Sequence, residues 1–196
     1  MSEPAKRNPI AAPLFAFDRD ARKALRPYRE HPAAEALDWA SQAGDQLQLR
    51  VLAGGVLALG LLRRDARLLR AALRMALAHE AATAAKSWLK HRVIRRRPRS
   101  AHRGEVRPRK GRDTAKEESS FPSGHAGGAF AVAGAAAGEL PAIAAPAHAA
   151  AAAVALARLP RGAHYPTDIA AGAVLGLFAA GAVNGLWALA ARASRR

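Results

Sequence analysis

IAAGAVLGLFAAGAVNGLWALAA, residues 169–191, holds a single non-apolar side chain, Asn184, in 23 residues. Crossing ~30 Å of hydrocarbon takes about 20 residues of helix, so this run is long enough to span a membrane. Its Gly172/Gly176 and Gly181/Gly185 pairs repeat the small-xxx-small spacing that lets helices pack closely, read here as contacts within one chain rather than a dimer seam. An alanine-rich soluble bundle is the alternative for such a run.

Upstream, residues 126–157 are apolar except for Glu139 and His148, and the sequence Gly138-Glu139-Leu140-Pro141 interrupts them. A polar residue and a proline at that point predict a hairpin of two helices, about 125–139 and 142–158. Before it, 68–89 predicts a helix whose Arg70, Arg74, His79, Glu80 and Lys86 should face the bundle interior or its ends. The apolar stretch Val51–Leu62 reaches spanning length only if its helix begins near Asp45. Segments 14–26 and 33–50 are apolar on roughly one side, as interfacial helices are. The chain thus divides into a basic N-terminal arm (1–50) and a membrane-embedded domain (51–196) with an active-site loop at 90–122. Residues 1–30, with Lys6 and Arg7 among their cations, have no long apolar core of the kind a secretory signal needs.

Hydrophobic residues make up 51% of the 196 but aromatic ones only 5%, and Ala and Leu dominate. That composition predicts an all-α fold, a transmembrane bundle of about five to six helices. The mean hydropathy of −0.10 conceals a segregation. Charge is concentrated in the first fifty residues and in 90–120, where eleven Lys and Arg lie between Lys90 and Arg112. A net charge of +16 calls for an anionic partner: a phosphorylated substrate, an anionic lipid surface or nucleic acid. The absence of cysteine excludes disulfides and thiolate metal sites.

Three polar clusters interrupt the apolar scaffold: Lys90–Pro98, Phe121–His125 and Arg158–Asp168. Successive helices joined by loop 90–122, and a hairpin turning at Pro141, bring all three to one end of the bundle. There Lys90, Arg97 and Arg158 can neutralise phosphate oxygens. Ser123 and Gly124 stand at a helix start, where free N–H groups favour an anion. His164 and Asp168, four apart, share a helical face, so the carboxylate can hold one ring nitrogen and aim the other at phosphorus. His125 is left to protonate the leaving oxygen. Arg92, Arg95, Arg96 and Arg99 are expected to be solvated or to face headgroups.

The clusters resemble the signature of the type 2 phosphatidic acid phosphatase superfamily, which includes lipid phosphate phosphatases, bacterial non-specific acid phosphatases and vanadium haloperoxidases. Its K-x6-R-P motif is matched by Lys90, Arg97 and Pro98, its P-S-G-H by Pro122–His125, and its S-R-x5-H-x3-D by Arg158, His164 and Asp168. The serine expected before Arg158 is Ala157, a departure that removes one possible hydroxyl donor to phosphate. The resemblance implies a helical bundle with its active site at one membrane face, and hydrolysis without metal or other cofactor through a phosphohistidine at His164. It also implies acid catalysis by His125 and phosphate binding by Lys90, Arg97, Ser123, Gly124 and Arg158.

The expected function is hydrolysis of a lipid or isoprenoid phosphate or diphosphate. Phosphatidate, phosphatidylglycerophosphate and polyprenyl phosphates or diphosphates fit the apolar walls equally well. A multi-pass protein of the inner (cell) membrane is expected, in contact with anionic lipids, and the basic arm and loop place the site on the cytoplasmic face. A soluble acid phosphatase or vanadate-dependent haloperoxidase keeps the same fold. A nucleic-acid binder built on 90–112 explains the charge but not the apolar run or the ordered histidines.

Overall fold

A computed structural model describes residues 11–102 and 106–194. Lys6, Arg7, Arg195, Arg196 and residues 103–105 of the basic loop lie outside the described residues. Among the described residues are seven α-helices: α1 (Ala11–Leu25), α2 (Pro32–Ala40), α3 (Gln46–Arg63), α4 (Ala66–Lys90), α5 (Gly124–Ala137), α6 (Ala144–Leu156) and α7 (Pro166–Ala193). Two short strands, β1 (Val93–Ile94) and β2 (Arg109–Lys110), pair antiparallel within the long loop. The fold is the expected all-α bundle, with α3–α7 as its five-helix body.

Local chemistry sets the helix ends. Asp65 accepts hydrogen bonds from the N–H groups of Arg67 and Leu68, capping α4 after a turn in which Arg64 adopts the left-handed conformation. Ser123 caps α5 by accepting from the Ala126 N–H. The predicted hairpin turns through a 3₁₀ segment, Pro141–Ile143. Helix α3 starts at Gln46, and a bend of 50° separates it from the segment Pro32–Gly44.

α5 is the central helix. Its small residues, among them Ala126, Gly127, Ala131 and Ala135, are buried on nearly every side against α3, α4, α6 and α7. α7 approaches it closely, because Gly172 and Gly176 face α5 and a Cβ there would strike the carbonyl oxygens of Ser123 and Gly127. Gly181 and Gly185 meet nothing within 4 Å. The first glycine pair is therefore a contact within the chain. At the end opposite the clusters, Glu139 receives Arg74 at 2.6 Å and Arg70 at 3.0 Å, which accounts for two of the cations on α4.

α7 is long and apolar enough to cross a membrane, and the bent pair formed by Pro32–Gly44 and Gln46–Arg63 passes the same test together. Large apolar side chains point outward from these helices, Phe178 at 78% exposure and Leu62 at 83%. Such faces suit lipid and are costly in water.

Gly176→Ala is expected to destabilise the bundle by about 1–3 kcal/mol, because backbone cannot yield as a side chain can. Gly185→Ala should be neutral or stabilise by up to about 1 kcal/mol. Thermal unfolding of both variants in one detergent checks the contrast.

Candidate active site

The chain ends of five helices meet at one face: the start of α3, the end of α4, the start of α5, the end of α6 and the start of α7. They enclose a polar cavity of about 180 Å³ whose lining includes Lys90, Arg97, Gly124, His125, Arg158 and His164. Six of the eight residues singled out in the sequence thus share one chamber. Ser123 and Asp168 stand behind it, each almost wholly buried. The Ser123 N–H donates to the Asp168 carbonyl at 3.0 Å, tying the start of α5 to the start of α7.

His164 is oriented differently from expectation. Its Nδ1 lies 2.8 Å from the carbonyl oxygen of Ser120, whereas the nearest Asp168 oxygen is 3.9 Å away. A carbonyl only accepts, so Nδ1 carries the proton and Nε2 keeps its lone pair. Asp168 caps α7 instead, its Oδ2 accepting from the Tyr165 N–H at 2.8 Å and from the Ser120 hydroxyl at 2.5 Å. Ser120 therefore links the two residues, its carbonyl holding the imidazole and its hydroxyl the carboxylate. Burial pushes the His164 imidazole well below its ordinary value of 6.5, and the charges of Arg97 and Lys90 push the same way.

The second correction concerns Arg95, which is buried at 2% exposure rather than solvated. Its guanidinium donates to Asp168 Oδ1, Thr167 Oγ1 (2.8 Å), Asp18 Oδ2 (2.6 Å) and the Val106 carbonyl (2.9 Å). Backbone geometry explains the burial. Residues 95–97 run extended beside 117–120, with Arg95 N–H donating to Glu118 O, Arg97 N–H to Glu117 O and Ser120 N–H to Arg95 O. Alternate side chains on an extended segment face opposite ways, so Arg95 and Arg97 turn inward while Arg96 turns to Glu118. Arg99 pairs with Glu117.

The cations of the chamber are held by neighbours. Lys90 donates to the Ser119 carbonyl at 2.9 Å, and Arg97 to the carbonyls of Lys116 (2.6 Å) and Ala163 (3.2 Å). Burial lowers the Arg97 guanidinium to about 10, which leaves it fully charged at neutral pH. Arg158 donates to Asp38 Oδ1 at 2.5 Å and to the Ser41 hydroxyl at 3.0 Å. A hydroxyl thus stands beside Arg158 although Ala157 supplies none. His125 Nε2 lies 2.9 Å from Asp45 Oδ1, a charge contact rather than an aligned hydrogen bond. Sequence reasoning missed Ser120, Asp18, Asp38, Ser41 and Asp45, all of which act through partners distant in the chain. Among the described residues no group of three or more His, Cys, Asp or Glu is arranged to hold a metal ion.

A helical bundle that gathers Lys, two Arg and two His at one face defines an anion-binding site suited to phosphate. The chain belongs to the PAP2 superfamily, whose model matches residues 68–190. The fold is also similar to the crystal structure of a transmembrane PAP2-type phosphatidylglycerolphosphate phosphatase from Bacillus subtilis. That similarity has a TM-score of 0.57 at 22% identity and covers 92% of this chain and 87% of the other. No curated protein matches the chain in sequence. Asp18, Asp38, Ser41 and Asp45 precede the region that the family model matches.

Two predictions follow from this geometry. Arg95→Ala strands two buried carboxylates and should cost about 3–5 kcal/mol, whereas Arg99→Ala, whose pair with Glu117 is partly exposed, should cost no more than about 1 kcal/mol. Chemical unfolding of the two variants separates these outcomes. For His164, ¹⁵N imidazole spectra should show a neutral Nδ1–H ring that stays neutral below pH 6.5. An unfolded histidine takes up a proton there and the folded one does not. This group's contribution to stability therefore falls as pH drops from 6.5 toward its folded value.

Proposed function

We propose that this protein is a multi-pass phosphatase of the cell membrane that hydrolyses a lipid or isoprenoid phosphate through a phosphohistidine at His164. The observation that carries the reading is the fixed tautomer of His164. With Nδ1 occupied by the Ser120 carbonyl, Nε2 is the available nucleophile in a chamber ringed by Lys90, Arg97 and Arg158. In the first step Nε2 attacks phosphorus and the bond to the leaving oxygen breaks. That oxygen takes a proton from His125, and the alcohol departs. Water then attacks the phosphohistidine and gives its proton to His125. The N–P bond breaks, releasing inorganic phosphate and a neutral His164. Lys90, Arg97, Arg158, the Ser123 hydroxyl and the Gly124 N–H stabilise the charge on the non-bridging oxygens in both steps.

Support for a lipid comes from a second cavity, of about 350 Å³, lined by Leu49, Leu52 and Val56 of α3, Val132 and Ala136 of α5, and Ala147 and Val154 of α6. Gly44 lines both cavities, so the apolar groove opens beside the phosphate chamber. An acyl or prenyl chain in that groove would leave its phosphate at His164. The outward apolar faces of α3 and α7 favour the membrane form over a soluble acid phosphatase. The basic arm and loop at the site's face favour a cytoplasmic orientation.

Detergent-purified protein should release phosphate from one or more members of a phosphatidate and polyprenyl phosphate panel with EDTA present. His164→Ala should lower that rate by about 10³-fold or more. An undiminished rate in the variant would remove His164 as nucleophile, and release confined to water-soluble esters would remove the lipid.

A further inference from the structure

The last residue before α3 is out of character. Asp45 occupies the N-cap position with extended dihedrals (φ −70, ψ 154), where an aspartate ordinarily accepts from the N–H groups of the next turn, yet its side chain makes no capping bond. The carboxylate is turned instead to His125, 2.9 Å from Nε2, which has no hydrogen-bond partner. The backbone is shaped for this approach. The 50° bend between Pro32–Gly44 and Gln46–Arg63 puts Asp45 at its vertex, and a Cβ on Gly44 would come within 3.4 Å of the His125 ring.

The charges around His125 give the contact a purpose. Lys86 and Lys90 of α4 and Arg97 of the loop line the same chamber, and Arg158 follows α6. Burial pushes the His125 imidazole down to about 4 and the charges of Arg158 and Arg97 push the same way, while Asp45 and Asp38 oppose the shift. Asp38 is committed to Arg158, which leaves Asp45 as the carboxylate in contact with the ring. A proton donor set among phosphate-binding cations needs such a counter-charge to keep its proton until the leaving oxygen arrives.

Resting on the reading of His125 as the acid, we infer that Asp45 is its positioning residue, aiming the imidazole and favouring its protonated form. The Asp45 side chain is 47% exposed against 13% for His125, so the carboxylate lies at the mouth of the chamber. A contact exposed to this degree is screened and weak enough to release Nε2 to the leaving oxygen. The proton then moves from Nε2 to that oxygen as the P–O bond breaks, and returns from water in the second step.

The test compares D45N, D45E, H125A and the D45N/H125A double variant in detergent. The substrates are an alkyl phosphate lipid, whose leaving oxygen needs a proton, and p-nitrophenyl phosphate, whose leaving group does not. D45N should lose about tenfold in kcat on the lipid at pH 7, with the basic limb about one pH unit lower. The loss on p-nitrophenyl phosphate should be at least fivefold smaller, D45E should recover most of the lipid rate, and D45N should cost nothing further in H125A. Equal losses on both substrates, additive losses in the double variant, or a D45N protein that fails to fold would each overturn the role of Asp45. If H125A itself lost equally on both substrates, the assignment of the acid would fall instead.

Discussion

The guanidinium of Arg95 joins three parts of the chain. Through Asp168 and Thr167 it holds the first turn of α7, through Asp18 it holds α1, and through the Val106 carbonyl it holds the far side of the long loop. Both carboxylates are fully buried, and the guanidinium nearly so. In such surroundings each charge is tolerable only because the others are there, and bonds from Ser120, Tyr165 and Thr167 satisfy the remaining oxygens. The position of His164 depends on this arrangement at one remove. Ser120 bonds Asp168 with its hydroxyl and His164 with its carbonyl, so displacement of the carboxylate would displace the imidazole.

A chamber of about 180 Å³ lined by Lys86, Lys90, Arg97 and Arg158 is repulsive to its own walls. Acids drawn from two places offset the cations in and around it. Glu117 and Glu118 lie in the same loop and pair with Arg99 and Arg96. Asp18, Asp38 and Asp45 come from the first forty-five residues and meet Arg95, Arg158 and His125. Lys90 and Arg97 are instead held by backbone carbonyls, which accept hydrogen bonds without cancelling charge. Burial chiefly keeps His164 neutral, and of the surrounding charges these two cations act on it most strongly in the same direction.

The division between what the sequence disclosed and what it concealed follows interaction range. Helices α4 to α7 and the gathering of their ends at one face were legible, because apolar runs, Pro141 and the cap residues are local signals. The motif residues were legible through their spacing. Arg95 was not, since the cluster Arg95-Arg96-Arg97 reads as one basic patch until its extended backbone is known. Period-two alternation then separates 95 and 97 from 96, a signal available once Arg97 is placed inside. The pairing of Asp18 with Arg95 spans 77 residues and that of Asp38 with Arg158 spans 120, and no local pattern announces contacts of that range. The role of Ser120 was hidden for a different reason: its carbonyl does the orienting, and every residue has one.

That substitution of a carbonyl for a carboxylate bears on the chemistry. A carboxylate in contact with Nδ1 would favour the protonated ring and draw the resting imidazole toward the cation, which cannot attack phosphorus. A carbonyl fixes the same tautomer with far less bias toward charge, and burial among cations keeps Nε2 unprotonated. In the proposed mechanism the ring becomes cationic when phosphorus bonds to Nε2. Asp168, 3.9 Å from Nδ1, is then near enough to stabilise that charge. Under that proposal its distance suits the state that needs the interaction, weak while the ring is neutral and stronger once it carries phosphorus.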